Sequence, residues 1–227
     1  MYKKIFFPFN LMIFSAVFLM INTGVLSAQV KGDISVGARA GINLAFHDAS
    51  KDFKLGFLDD NTQEPMFNAN FVLFQTYSFM PKMQIQVEEH VHLFVGMKKS
   101  EPGAGAKVTY TTLDIPVLFR YNFFEKPVRF GVLTGLYFTL PLTKVKTEFS
   151  GTMSSQPTTN HNINAMLLGF NLGATAGLPL GPGAVVVDAR FLFDLASSSE
   201  NVPGLTSSFG LWSRRGFIVS AGYEYRF

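Results

Sequence analysis

Apolar and polar residues alternate one by one over the last eleven residues of the chain. Apolar and aromatic side chains occupy every second position from Phe217 to Phe227, and apart from Ile218 small or charged side chains occupy the positions between them. Because neighbouring side chains in a β-strand point to opposite faces, this stretch predicts a strand with one apolar and one polar face. Such a strand suits the wall of a transmembrane barrel, with lipid outside and packed polar groups inside.

Seven further segments of the chain show the same alternation. They span residues 34–47, 67–80, 83–98, 108–122, 128–140, 163–178 and 184–196. The second segment is the least regular, and we expect a β-bulge at Phe74-Gln75, where its pattern blurs. In the third segment Glu89 falls on the otherwise apolar face. In the fourth, Pro116 predicts a bulge or a missing hydrogen bond in the ladder.

The connections between these segments alternate in length. Long polar connections at residues 48–66, 99–107, 141–162 and 197–214 alternate with short ones at residues 81–82, 123–127 and 179–183. Outer-membrane barrels have short periplasmic turns and longer extracellular loops. A soluble sandwich would also alternate, but it would rarely keep one face so apolar. We therefore predict an all-β fold, an eight-stranded antiparallel transmembrane β-barrel with both termini in the periplasm.

The N-terminus has the pattern of a secretory signal. Lys3 and Lys4 precede an apolar stretch at residues 11–21, and Leu26-Ser27-Ala28 offers a cleavage site. The stretch is shorter than the roughly 20 residues that a membrane-spanning helix needs. We predict a cleaved signal peptide at residues 1–28, export through the periplasm, and an outer-membrane barrel domain at residues 29–227.

Composition excludes several classes of function. The chain has no cysteine, which rules out lipidation at cysteine, disulfide bonds, iron–sulfur clusters and thiolate zinc sites. The full chain has a formal net charge of +3, and removal of residues 1–28 would take away two lysines and no acid, leaving +1. So small a charge gives no reason to expect a nucleic-acid partner.

Charged residues also occupy positions that face the interior of the predicted barrel. There are five cationic and five anionic residues, namely Arg39, Arg120, Arg129, Arg190, Arg226, Glu88, Asp114, Asp188, Asp194 and Glu224. An eight-stranded barrel is just wide enough for side chains to fill, and a charge buried without a partner is costly. We predict that these residues form an ion-pair network that fills the lumen. The alternative is a polar conduit.

Glu88, His90 and His92 share one face of the third segment. Such groups can ligate a metal or form a catalytic pair. Two histidines at alternate positions of a strand lie about 7 Å apart, however, which is wide for one zinc ion unless the strand bends. We interpret them as packed lumen residues and assign no catalytic, metal or cofactor site. No spacing of serine and histidine forms a recognisable catalytic triad, so we expect a protein that is not an enzyme.

Several short stretches resemble one known family. Residues 113–121, LDIPVLFRY, resemble the “LEIPLLLKY” strand of the PorT-like outer-membrane β-barrel proteins. Residues 86–88 resemble their “QPE” segment, residues 188–191 their “E-x-R-Y”, and residues 222–223 their “GY-x-F” ending. The resemblance covers most of residues 32–227. It implies a small barrel, similar in architecture to the OmpX/OmpA type, without specifying an activity.

The end of the chain carries a further feature. We interpret Gly222, Tyr223, Tyr225 and Phe227 as an assembly signal through which the barrel-assembly machinery recognises the last strand. The other expected partners are outer-membrane lipid and lipopolysaccharide, and the sequence identifies no surface ligand. Arg214 and Arg215 near the outer rim could bind phosphates, but we favour the alternative interpretation that they form a solvated loop end.

These observations favour a small non-enzymatic outer-membrane protein with a structural or surface-interaction role. Two alternatives stay open. One is a narrow porin or OmpW-like conduit for small solutes. The other is a PorT-like accessory barrel of a protein secretion system.

Overall fold

The computed structural model describes residues 34–48, 63–64, 66–101, 104–124, 127–151, 159–161, 167–195, 198–200, 209–211 and 213–227. The predicted signal peptide at residues 1–28 lies outside the described residues. In the described part of the chain, no helix is long and apolar enough to cross a membrane.

The secondary structure of the described residues consists of thirteen β-strands. In chain order they are β1 (Ile34–Asp48), β2 (Gln63–Glu64), β3 (Met66–Met80), β4 (Met83–Glu101), β5 (Ala104–Phe124), β6 (Arg129–Pro141), β7 (Val145–Gly151), β8 (Thr159–His161), β9 (Leu167–Leu180), β10 (Gly183–Asp194), β11 (Ser198–Glu200), β12 (Phe209–Leu211) and β13 (Ser213–Arg226). The eight long strands β1, β3, β4, β5, β6, β9, β10 and β13 build the wall of the barrel.

Each of these eight strands pairs antiparallel with its neighbours, and β13 pairs with β1 to close the ring. The predicted eight-stranded antiparallel barrel is therefore confirmed for the described residues. Both ends of the wall, at the start of β1 and the end of β13, lie at the end with the short turns. We assign that end to the periplasm.

The strands are staggered around the ring, and the stagger decides which side chains meet inside. A path of paired residues across the wall starts at Ile34 and returns to β1 at Leu44, ten residues further along the strand. It passes Tyr77, Ile85, Phe119, Thr134, Leu172, Phe191 and Phe217. A closed sheet with such a stagger has strands tilted about 35–45° from the barrel axis. Because of this tilt, side chains that lie at one height of the lumen belong to residues that are not paired with each other along the path.

The two faces of the wall have opposite chemistry. Large apolar side chains on the outer face are about half exposed, as at Phe71 (53%), Leu172 (54%) and Phe217 (55%). Charged side chains on the inner face are buried, as at Arg39 and Glu88. A soluble protein buries the apolar groups instead. An exposed apolar face and a buried charged face are the arrangement that a lipid environment requires.

The bulge predicted at Phe74-Gln75 is wrong. β3 pairs with β4 without a shift at these residues, and the irregularity lies lower, between Ser78 and Met80. Phe74 continues the alternation and points inward, where its ring centroid lies 4.4 Å from the guanidinium carbon of Arg39. An aromatic residue at an inner position made the sequence pattern look broken although the backbone is regular.

Pro116 interrupts the ladder between β4 and β5 as expected. The backbone pairs stop at Val87 and Val117 and resume at His90 and Asp114 in the same register. Proline has no backbone N–H to donate, so the missing pairs need no bulge. A shift in register does occur between these strands, but higher up, between His92 and Val95.

The long connection predicted at residues 99–107 is wrong, because β4 runs to Glu101 and β5 begins at Ala104. At the extracellular end of the barrel, β4 and β5 continue beyond the wall as a small sheet, which we call the extracellular sheet. β7 pairs with the upper part of β5, β8 with β7, and β2 with the upper part of β4. β7 and β8 also lie within the stretch 141–162 that was predicted as a connection. Residues 99–101 and 104–107 of β4 and β5 are all small or polar, so they lack the apolar alternation of the wall.

Candidate functional site in the barrel lumen

The central layer of the lumen is a cluster of four charged side chains. Arg39 comes from β1, Glu88 from β4, and Asp188 and Arg190 from β10. Arg190 donates to both carboxylate oxygens of Glu88, from Nη1 to Oε2 at 2.6 Å and from Nη2 to Oε1 at 2.7 Å. Arg39 donates to both acids, and Arg190 also donates to Asp188. All four side chains are at most 2% exposed.

This central layer spans the lumen from wall to wall and carries no net charge. β4 and β10 are four places apart in the ring of eight strands, so Glu88 and Arg190 reach each other from opposite walls. Parallel hydrogen bonds between a guanidinium and a carboxylate are among the strongest side-chain contacts in proteins. Two arginines and two acids balance each other, which limits the cost of removing four charges from water.

A second layer lies nearer the periplasmic end, where Glu224 on β13 is the acceptor. Arg129 on β6 donates to both of its carboxylate oxygens, and the Nη1–Oε1 distance is 3.0 Å. Ser35 Oγ donates to Oε1 at 2.8 Å. Arg120 on β5 is more distant, with 3.5 Å between Nη1 and Oε2. Arg226 lies at the rim, where its side chain is 45% exposed and its Nε is 3.6 Å from Oε1.

The upper layer, toward the extracellular end, is built around His92 and two acids. Nε2 of His92 lies 3.0 Å from Oδ2 of Asp114, and Thr139 Oγ1 donates to Oδ1 of Asp114 at 2.8 Å. On the other side of the imidazole ring of His92, Asn43 Nδ2 lies 3.3 Å from Nδ1. Asp194 accepts a hydrogen bond of 2.6 Å from the hydroxyl of Tyr137.

The rings of the two lumen histidines lie closer together than the spacing of about 7 Å between alternate residues of a flat strand. The rings of His90 and His92 are stacked, with centroids 4.0 Å apart and planes 23° apart. Among the described residues, no group of three or more histidine, aspartate or glutamate side chains is arranged to hold a metal ion.

Of the ten predicted network residues, nine are buried in the lumen and Arg226 lies at the rim. Their contacts group them into the three layers, in which Ser35, Thr139 and Tyr137 are uncharged donors to the acids. Gln86 links the periplasmic and central layers, because it accepts from Arg120 at 3.4 Å and donates to Glu88. Tyr137 was not among the predicted lumen residues because it carries no charge. The alternation itself places Tyr137 on the inner face, since Phe138 faces outward.

Glu89 keeps the outward register that made it an exception in the sequence. It pairs with Leu73 in an unshifted stretch of β3 and β4, so the local register is not altered by it. Its exposed fraction is 8%, which is low for the outer face.

The last strand packs tightly against its neighbours. A Cβ atom on Gly222 would overlap the backbone carbonyl oxygen of Ala38 on β1. The Tyr223 hydroxyl donates to the carbonyl oxygen of Leu180 at 2.8 Å. The rings of Tyr225 and Phe227 meet edge to face at 5.1 Å. Gly222 is thus required by close approach, whereas Phe227 is 78% exposed on the outer surface.

A closed barrel with an apolar outer wall and charged layers inside defines a transmembrane β-barrel of an outer membrane. Residues 27–200 match the profile of the family described as outer membrane protein beta-barrel domain. The protein belongs to this family and lies in the outer membrane.

Solved outer-membrane barrels are similar to this chain in architecture. A major outer membrane protein from Thermus thermophilus is 14% identical with a TM-score of 0.49, covering 87% of this chain and 100% of that one. Neisserial surface protein A is 13% identical with a TM-score of 0.48, covering 87% and 100%. OprG from Pseudomonas aeruginosa is 11% identical with a TM-score of 0.46, covering 86% and 96%. None of the curated proteins matches the chain.

Proposed function

We propose that the protein is a non-enzymatic outer-membrane barrel whose lumen is closed by its own side chains, and that it acts through its outer surface. The observation that carries this proposal is the paired contact of Glu88 and Arg190 from opposite walls. A solute that crossed this level would have to separate several charge-assisted hydrogen bonds in a buried site. The layers above and below add further barriers.

Conductance in planar lipid bilayers tests the closed lumen. We expect the purified wild-type protein to give no steady channels. The double variant Glu88→Ala with Arg190→Ala removes one charge of each sign and leaves Arg39 paired with Asp188, so we expect larger ion flux from it. A matched variant on the outer face, Val117→Ala with Val219→Ala, should stay silent. Steady, sizeable channels from the wild type would favour the conduit instead.

We further propose that the outer rim binds the phosphates of lipopolysaccharide. Arg215 is exposed at the upper end of β13, two residues above the outward-facing Phe217. Lys107 is exposed on β5, beyond the apolar wall. Cationic side chains at the border of the apolar band meet the anionic headgroups of a membrane.

Thermal unfolding in vesicles with and without lipopolysaccharide tests this partner. The wild type should gain stability from lipopolysaccharide relative to phosphatidylcholine, and the variant Arg215→Gln with Lys107→Gln should lose most of the gain. Lys82→Gln is the matched control, because Lys82 is exposed in the turn at the opposite end. An equal loss in the Lys82 variant, or no preference in the wild type, would contradict the proposal.

A further inference from the structure

The layer nearest the periplasm contains more positive than negative charge. Arg120 and Arg129 are 1% and 3% exposed, and Glu224 is 0% exposed. Among the described residues, Glu224 is the single acid within salt-bridge distance of either arginine. Two buried cations therefore share one carboxylate, whereas the central layer has two acids for two arginines.

Arg120 is also poorly satisfied as a donor. A guanidinium group has five N–H donors. Those of Arg120 reach Asn122 Oδ1 at 3.2 Å, Gln86 Oε1 at 3.4 Å and Glu224 Oε2 at 3.5 Å, which are long contacts. Nη2 of Arg120 has no hydrogen-bond partner among the described residues, and neither has Nε of Arg129. The partners of Arg120 include two neutral amides, which accept hydrogen bonds without supplying charge.

We propose that a small monovalent anion of about the size of chloride binds beside Nη2 of Arg120. An unpaired buried charge is among the costliest features that a fold can contain. Water could accept the free hydrogen bonds but would not compensate the charge. The anion is small because the site is enclosed, with Gln86, Arg120 and Glu224 all at most 1% exposed. This site does not depend on whether the lumen conducts.

Halide-dependent unfolding tests the site. The folded protein in detergent is heated in sodium chloride or sodium bromide and, at equal sodium concentration, in sodium gluconate, whose anion is too large for the site. We expect the apparent midpoint to rise with halide by about 2–4 °C and to saturate. Arg120→Gln should abolish the rise. Lys82→Gln removes the same charge from an exposed position in the turn at residues 81–82 and should keep it.

Crystals grown in bromide give a second readout that does not require a variant to fold. The anomalous signal should show a bromide ion in contact with the guanidinium of Arg120. Bromide absent from that position, a wild type that ignores halide, or an Arg120→Gln variant that responds like the wild type would each overturn the proposal.

Discussion

Glu88 and Arg190 lie 102 positions apart in the chain and meet through two parallel hydrogen bonds across the barrel. Glu88 also pairs with Arg39, and Arg190 also pairs with Asp188, so the loss of either residue leaves another buried charge of this layer without one of its partners. The stability of the barrel should therefore respond strongly to the loss of one member of this layer. Exposed charges elsewhere on the surface should matter far less.

The substitutions Glu88→Gln and Glu89→Gln make the same chemical change on opposite faces of one strand. Glu88→Gln leaves two buried arginines with a single acid, so we expect a loss of about 3–5 kcal/mol in the free energy of unfolding. Glu89→Gln removes a carboxyl group from the lipid-facing side, and we expect a loss of no more than about 1 kcal/mol. Urea titrations in lipid vesicles measure both. Equal losses in the two variants would contradict the assignment of the faces.

Gly222 should tolerate no side chain. The added methyl group of Gly222→Ala would overlap the backbone of β1, and overpacking of this kind costs about 1–3 kcal/mol. Gly177 gives a milder comparison, because a Cβ there would approach the guanidinium of Arg129 at 3.0 Å and no backbone atom. Heat-modifiable migration of unboiled samples on gels reports the folded fraction. We expect it to fall further for Gly222→Ala than for Gly177→Ala.

The alternation of side chains was sufficient to predict the barrel because each face of every wall strand meets a different medium. Phe217 and Val219 face lipid, whereas Ser220 and Glu224, further along the same strand, face the interior. Where the two faces of a strand no longer meet different media, the alternation ends, and no strand was predicted there. Residues 99–101 and 104–107 continue as strand beyond the wall, and their polar composition looked like a loop.

The layers of the lumen could be predicted only in part. The inner position of a charge follows from the alternation alone, so Arg120 and Asp188 could be assigned to the lumen. The choice of partner depends on the ten-residue stagger of the closed sheet, which no local pattern encodes. For this reason the sequence suggested even pairing, while the structure gives Glu224 three arginines, one of them at the rim, and gives Asp114 a histidine and a threonine.

Phe227 is expected to serve assembly more than stability. It is 78% exposed and its ring contacts only the neighbouring Tyr225 in the described contacts. If the end of β13 is recognised by the assembly machinery, Phe227→Ala should lower the amount of folded barrel in cells while leaving in vitro unfolding nearly unchanged. Phe217→Ala, on the same face of the same strand, is the control and should have little effect on assembly. Normal cellular levels of the Phe227 variant would exclude the assembly role.

Glu148 on the extracellular sheet offers a prediction about pH. Its hydrogen bond with Lys146, together with the positive charge of that lysine, lowers the pKa of the Glu148 carboxyl below its ordinary value. A lowered pKa in the folded state means that the pairing favours folding at neutral pH. The contribution is lost as the pH falls through that lowered pKa.

NMR titration should show the pKa of Glu148 rising in Lys146→Gln, and the pKa should stay low in the Lys144→Gln control. Because both partners are exposed, the pair should affect the global unfolding midpoint very little. A variant that lost Lys146 and kept the low pKa would show that another cation, such as Lys107 opposite Glu148 in the sheet, dominates.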